Sequence, residues 1–265
     1  MFMEFFTTCN GLPVHVSDSK KGDNVIILLH GYLETLYIWD EFETLLSTNM
    51  RVVSIDIPGH GLSASYPINT MENCASALIC VMDKLNIDKA WLVGHSMGGY
   101  VAVEALKLFS NRFLGLIMIN SIPYADTEEK RESRDREISL IKHKKLQTIV
   151  KCSVENMFAN ENVNKFEEKI LEISEIAEVH DPQGIVASLE GMKQREDYTD
   201  YLSKCELPLL FIFGDKDNFI SLQTARDIQT KIPKATYFFL ESSGHNSFIE
   251  EPNKCAQKIL QFTKN

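Results

Sequence analysis

Gly94-His95-Ser96-Met97-Gly98 sets a serine between two glycines, after the apolar run AWLV and before the helical run YVAVEALKLF. A serine hydroxyl is a poor nucleophile until a base takes its proton, so its surroundings decide whether it reacts. The bare G-x-S-x-G pattern recurs by chance in about one chain in ten of this length. Its seat between a buried strand and a helix carries the meaning, because a serine there occupies a sharp turn that lifts Oγ above the sheet end. Gly94 and Gly98 leave room for such a turn, whose backbone strain is on the order of 1 to 3 kcal/mol. The next helix aims its positive N-terminal end at the place where an oxyanion develops.

The base must be an imidazole, held in the right tautomer by an acid, in the chain order serine, acid, histidine. Of the seven histidines only His143, His180 and His245 follow Ser96, and the first two lie in helical stretches. His245 follows the run TYFFL in the loop Glu241-Ser-Ser-Gly-His245 and is the expected base. Asp215 and Asp217 both follow PLLFIFG, which delivers them to the carboxyl edge of a sheet, and spacing leaves the acid open between them. His30-Gly31-Tyr32 opens a loop after another buried run. The backbone N–H groups of Tyr32 and Met97 are the expected oxyanion donors, with the Tyr32 ring as pocket wall and His30 as a hydrogen-bonded structural residue.

These groups work only if several strand ends meet. Residues 3–17 alternate around Asn10-Gly11, which predicts an antiparallel hairpin. Apolar runs at Val25 to Leu29, Arg51 to Ile55, Ala90 to Val93, Phe113 to Ile119, Leu207 to Phe213 and Thr236 to Leu240 read as buried strands. Helical patterns between them predict an α/β fold with a mostly parallel sheet. From Ile122 to about Cys205 no strand-like run occurs, while Thr127 to Ile141, Val163 to Val179 and Gln183 to Gln194 are amphipathic. A connection that long implies structure of its own. The expected division is a core of residues 1–121 and 206–265 with an inserted helical lid, 122–205. The mixed-sign run TEEKRESRDRE inside it reads as a solvated helix face.

Composition narrows the function classes. A 265-residue chain with 44% hydrophobic residues buries a full core. A formal net charge of -10 without a Lys/Arg-rich run argues against nucleic-acid partners, although a local pocket can differ in sign. The N-terminal MFMEFFTTCNG has no basic region and is too short for a signal or membrane segment, so a cytoplasmic protein is expected. Six scattered cysteines without a C-x-x-C pair suggest free thiols, and no metal-ligand cluster or dinucleotide fingerprint implies a cofactor.

Taken together the motifs resemble the α/β-hydrolase superfamily, in its lidded branch of small esterases, lactonases and carbon-carbon bond hydrolases. Besides HGY and GHSMGG, Asp56-Ile-Pro-Gly-His-Gly-Leu-Ser63 resembles the D-x-P-G-x-G-x-S loop, Gly214-Asp-Lys-Asp217 the G-x-x-D motif and Ser243-Gly-His245 the S-G-H motif. The resemblance implies Asp217 as the acid, a structural role for Asp56 to Ser63, and no cofactor. The proline often found after the acid is replaced by Asn218-Phe219-Ile220-Ser221, and a serine at position 96 excludes the dehalogenase variant. The expected reaction is hydrolysis of an ester, thioester or lactone of a small molecule through an acyl-enzyme. The rivals are carbon-carbon bond hydrolysis or a related lyase reaction with the same triad, and a ligand receptor with vestigial hydrolysis.

Overall fold

The computed structural model describes residues 2–264. The chain opens with β1 (Met3–Cys9) and β2 (Leu12–Asp18), an antiparallel hairpin. Its turn works because Asn10 and Gly11 both take positive φ, 53° and 81°. Next come β3 (Val25–Leu29), α1 (Asp40–Leu46), β4 (Arg51–Ile55), α2 (Met71–Lys84), β5 (Ala90–His95), α3 (Met97–Leu108) and β6 (Phe113–Ile119). Five helices then follow without a strand: α4 (Glu128–Lys142), α5 (Leu146–Asn156), α6 (Glu167–Glu178), α7 (Pro182–Lys193) and α8 (Thr199–Lys204). The chain closes with β7 (Leu209–Gly214), α9 (Leu222–Lys231), β8 (Thr236–Leu240), α10 (Ser247–Glu250) and α11 (Pro252–Phe262).

The eight strands form one sheet in the order β1-β2-β4-β3-β5-β6-β7-β8, and β2 is the strand that runs against its neighbours. The apolar runs are strands because both their faces are covered: all five residues of β3 and all six of β7 are buried. The parallel register brings the strand ends level. Leu29 lies beside Gly94, His95 beside Ile119, Ile119 beside Ile212, and Gly214 beside Leu240. Loops leaving β3, β5, β6, β7 and β8 therefore emerge along one edge.

Beneath that edge Phe248, fully buried, packs its ring 4.3 Å from Trp39, 5.7 Å from Phe42 and 5.0 Å from His95. Burying a side chain of this kind contributes about 1.5 to 3 kcal/mol, and this one also seats α10 under the loop that carries His245. Several boundaries differ from expectation: β5 runs past Val93 to His95, α4 and α7 are each shifted by one residue, and two further differences have a local reason. β7 begins at Leu209 because Pro208 has no N–H for the ladder, and helix α6 begins at Glu167 after a stretch of turns from Asn160. The run TEEKRESRDRE is not uniformly solvated. Lys130, Arg134 and Glu137, at helical spacing on α4, line an internal cavity, and Arg134 is buried. Among the described residues no helix is long and apolar enough to cross a membrane.

Candidate active site

Ser96 links β5 to α3 with φ 49° and ψ -115°, a left-handed conformation that a residue with a Cβ adopts only under constraint. The turn is pinned from three directions. Ser96 N–H donates to Ile119 O at 3.1 Å, Gly99 N–H donates to Ser96 O at 3.0 Å, and the Ser121 hydroxyl donates to Ser96 O at 2.7 Å. The glycines are required by close approach: a Cβ at Gly94 would sit 2.4 Å from Gly98 O, and one at Gly98 would sit 2.2 Å from Leu29 O.

Ser96 and His245 line one cavity of about 310 Å³, together with Tyr32, Met97, Tyr100 and Phe219. His245 Nδ1 lies 2.8 Å from Asp217 Oδ2, in a pair whose side chains are 6% and 1% exposed. Among the described residues His245 Nε2 makes no hydrogen bond, which leaves it available on the cavity side. The imidazole packs against the Phe219 ring in a T-shaped contact with centroids 4.9 Å apart. Asp217 accepts four N–H donors: Phe219 at 2.7 Å and Ile220 at 3.0 Å on Oδ1, and Asn120 Nδ2 and His245 Nδ1, each at 2.8 Å, on Oδ2. Burial pushes this carboxyl up, but His245, Asn120 and the Phe219 N–H outweigh it and hold the group below its usual range. Asp215 points elsewhere. Its Oδ1 is buried without a partner among the described residues, and burial raises its carboxyl.

Tyr32 and Met97 both line the cavity, and among the described residues neither N–H donates to a backbone group in a turn, loop or cap. Met97 is the first residue of α3, so its N–H has no partner within the helix. His30 is committed elsewhere: Ile57 N–H donates to its Nε2 at 2.9 Å, so Nδ1 carries the proton and donates to Gly31 O at 2.7 Å. Burial pushes its basicity down. His180 binds the carbonyls of Ala177 and Glu34, and His143 is exposed. Asp56 accepts from Leu36 N–H at 2.7 Å and Leu62 N–H at 2.8 Å, fastening its loop to the segment after β3. Asp126 lies in the cavity wall between Arg134 and Arg195.

With this geometry in place, the chain was compared with known proteins. Residues 24–252 match the family model described as alpha/beta hydrolase fold. The chain belongs to this family. A pimeloyl-[acyl-carrier protein] methyl ester esterase of Vibrio vulnificus is 24% identical over 246 residues, 89% of this chain and 93% of that protein. The dihydrolipoyllysine-residue acetyltransferase component of an acetoin cleaving system from Pseudomonas putida is 27% identical over 257 residues, and the match spans 92% of this chain but only 64% of that longer protein. Among solved structures, a thermophilic esterase from Thermogutta terrifontis superposes with a TM-score of 0.91 at 25% identity, over 100% of this chain and 98% of that one.

Several residues that organise this alpha/beta hydrolase were given no role by the motif reading. Glu34 Oε2 accepts Gly31 N–H at 2.6 Å and lies 2.9 Å from His95 Nδ1, while His95 Nε2 reaches His245 O at 3.1 Å. One carboxylate and one imidazole thus tie the Tyr32 loop, the serine turn and the His245 loop together. Burial pushes the Glu34 carboxyl up, but the His95 imidazole and the Gly31 N–H hold it below its usual range. Asn120, at φ 44°, donates to Asp217 and to Gly244 O at 3.1 Å and accepts from Ser247 Oγ at 2.5 Å. Glu250 accepts Gly244 N–H at 2.6 Å and Ala159 N–H at 3.0 Å. The one local signal was polarity: Asn120, immediately after an apolar strand, is a polar residue at a sheet edge.

Proposed function

We propose that this hydrolase cleaves an ester-type carbonyl bond of a small molecule through an acyl-enzyme, with Ser96 as nucleophile, His245 as general base and Asp217 as orienting acid. The observation that carries the reading is the Asp217–His245 pair at 2.8 Å, whose free imidazole nitrogen shares a cavity with a serine on a strained turn. His245 Nε2 takes the Ser96 proton as Oγ attacks the carbonyl carbon, and Asp217 stabilises the imidazolium through Nδ1–H. The N–H groups of Tyr32 and Met97 receive the oxyanion. His245 returns the proton to the leaving oxygen or sulfur, then takes a proton from the water that hydrolyses the acyl-enzyme. Residues 122–205 act as a lid: α4, α5 and α7 contribute Arg134, Ser153 and Met192 to the cavity wall and so set which acyl groups fit.

The test is a turnover panel of esters, thioesters and lactones with a vinylogous diketone beside them, read against covalent labelling by a fluorophosphonate. The wild type is expected to label and to turn over esters at roughly 1 per second or faster. Ser96→Ala should lose the label and several orders of magnitude of turnover with the fold intact. Label that persists in Ser96→Ala removes the assignment. Preferential cleavage of the diketone moves the chemistry to a carbon-carbon bond, and label without sustained turnover makes the protein a receptor.

A further inference from the structure

The cavity contains a second group of polar side chains that acyl transfer at Ser96 does not use. Asp126, with no exposed side-chain surface, is clamped by two arginines. Arg134 approaches it through Nε at 2.5 Å and Nη2 at 3.3 Å, and Arg195 through Nη1 at 2.5 Å. Arg195 also donates to Tyr124 O at 3.0 Å and Met192 O at 3.0 Å, with its guanidinium 4.0 Å from the centre of the Tyr100 ring. The arginine side chains are only 6% and 2% exposed. A guanidinium has five N–H donors, and among the described residues Arg134 Nη1 and Arg195 Nη2 make no hydrogen bond. Both arginines line the cavity, as does Tyr124, whose buried hydroxyl is also without a partner. Lys130 stands at the rim, exposed on the outer side, and Glu137 and Glu34 are the other acids in the wall.

At this end of the cavity Lys130, Arg134 and Arg195 stand with Asp126 and Glu137, while Glu34, the third acid of the lining, is engaged by Gly31 N–H and His95, inside a protein whose formal net charge is -10. The Asp126 carboxyl is ionised, because burial raises it but the two arginines hold it below its usual range, whereas burial raises Glu137. Guanidinium donors left open in a cavity wall are met by water or by a further anion, and an anion gains the added strength of a charge-assisted hydrogen bond. Resting on the hydrolase reading of Ser96, we propose that the Arg134–Arg195 end of the cavity is a carboxylate-binding subsite, and that the substrate is an ester or lactone carrying a second, ionised carboxyl group. The planar fork of arginine matches a carboxylate in two-point contact, as Arg134 already shows on Asp126. A cavity of about 310 Å³ suits a small diacid derivative. Selection of such an anion must be local here, since the field of the whole chain repels it.

The test uses monomethyl esters of straight-chain dicarboxylic acids from succinate to suberate, each beside the neutral ω-carboxamide of equal length. At the best length the wild type is expected to favour the carboxylate by about tenfold or more in kcat/KM. Arg134→Gln should lower that ratio by about tenfold, and Lys130→Gln, at the exposed rim, by about threefold. The ratio is insensitive to the fraction of variant that folds. A wild-type ratio of one or less, or a ratio unchanged in both variants, overturns the subsite. A matched ω-phosphonate ester preferred over every carboxylate overturns the choice of carboxylate. Calorimetric binding of free adipate to the Ser96→Ala protein reads the subsite without turnover. Binding to a protein that hydrolyses nothing keeps the subsite and removes the hydrolase reading, while hydrolysis without charge preference does the reverse.

Discussion

Asp217→Asn keeps the shape of the acid and removes one acceptor from a carboxylate that serves four donors. If the new amide keeps its oxygen toward Phe219 and Ile220 N–H, its NH₂ meets the donors on Asn120 Nδ2 and His245 Nδ1, which now lie at 2.8 Å from Oδ2. His245 can relieve that conflict by moving its proton to Nε2, and an imidazole in that tautomer cannot accept the proton of Ser96. In a serine protease with the same constellation this substitution lowers kcat by about 10⁴, which corresponds to about 5.5 kcal/mol of barrier. The same loss is expected here. Stability should fall less, by about 1 to 3 kcal/mol, because two hydrogen bonds are disturbed in a site otherwise unchanged. Asp215→Asn touches a carboxyl oxygen without a partner and should leave kcat within about tenfold. Both variants are measured for ester turnover and for melting by calorimetry. More than a tenth of wild-type kcat in Asp217→Asn, or a collapse of activity in Asp215→Asn, refutes the assignment.

Glu34→Gln removes the charge that holds Gly31 N–H and His95 together, so kcat should fall about tenfold with a smaller change in KM, and the fluorophosphonate labelling rate should fall in parallel. An unchanged labelling rate would show that the Tyr32 loop holds its shape without it. Glu43, buried and accepting the Ser54 hydroxyl, is pushed by burial to about 7 from an ordinary 4.5, so its stabilising contribution is complete below pH 4.5 and lost as pH rises through 7. Glu43→Gln should then be more stable than the wild type at pH 8, by up to about 3 kcal/mol, with little difference at pH 4.5. Urea unfolding at the two pH values checks the sign.

The parts of this molecule that were legible in its sequence are those with a local signature. β3, β4 and β6 begin and end where their apolar runs do, since a strand buried on both faces leaves little choice of residue, and the run of β8 matches its strand although four of its five residues are half-buried. Helix α4 begins one residue after Thr127 because the threonine hydroxyl caps Lys130 N–H. Ser96, His245 and the aspartate pair stand out because each follows a strand end. Glu34, His95 and Asn120 did not, since their meaning lies in partners 61, 150 and 97 positions away. The inward turn of Arg134 was hidden for a related reason: a mixed-charge run looks the same whether its arginine meets water or Asp126, and Asp126 lies beyond the helix start.

The positive φ of Ser96 gives the chain a mark readable without any substrate. A natural chain sits above a stability threshold and not at its optimum, so a library scored for thermal resistance alone would return modest gains at many positions, through better packing, caps or surface charge. At position 96 the backbone sits at φ 49°, where a side chain adds strain of about 1 to 3 kcal/mol and glycine adds little. Selection blind to chemistry would therefore push this position away from serine. A disagreement of that kind between what folds best and what is present marks where stability has been exchanged for reactivity.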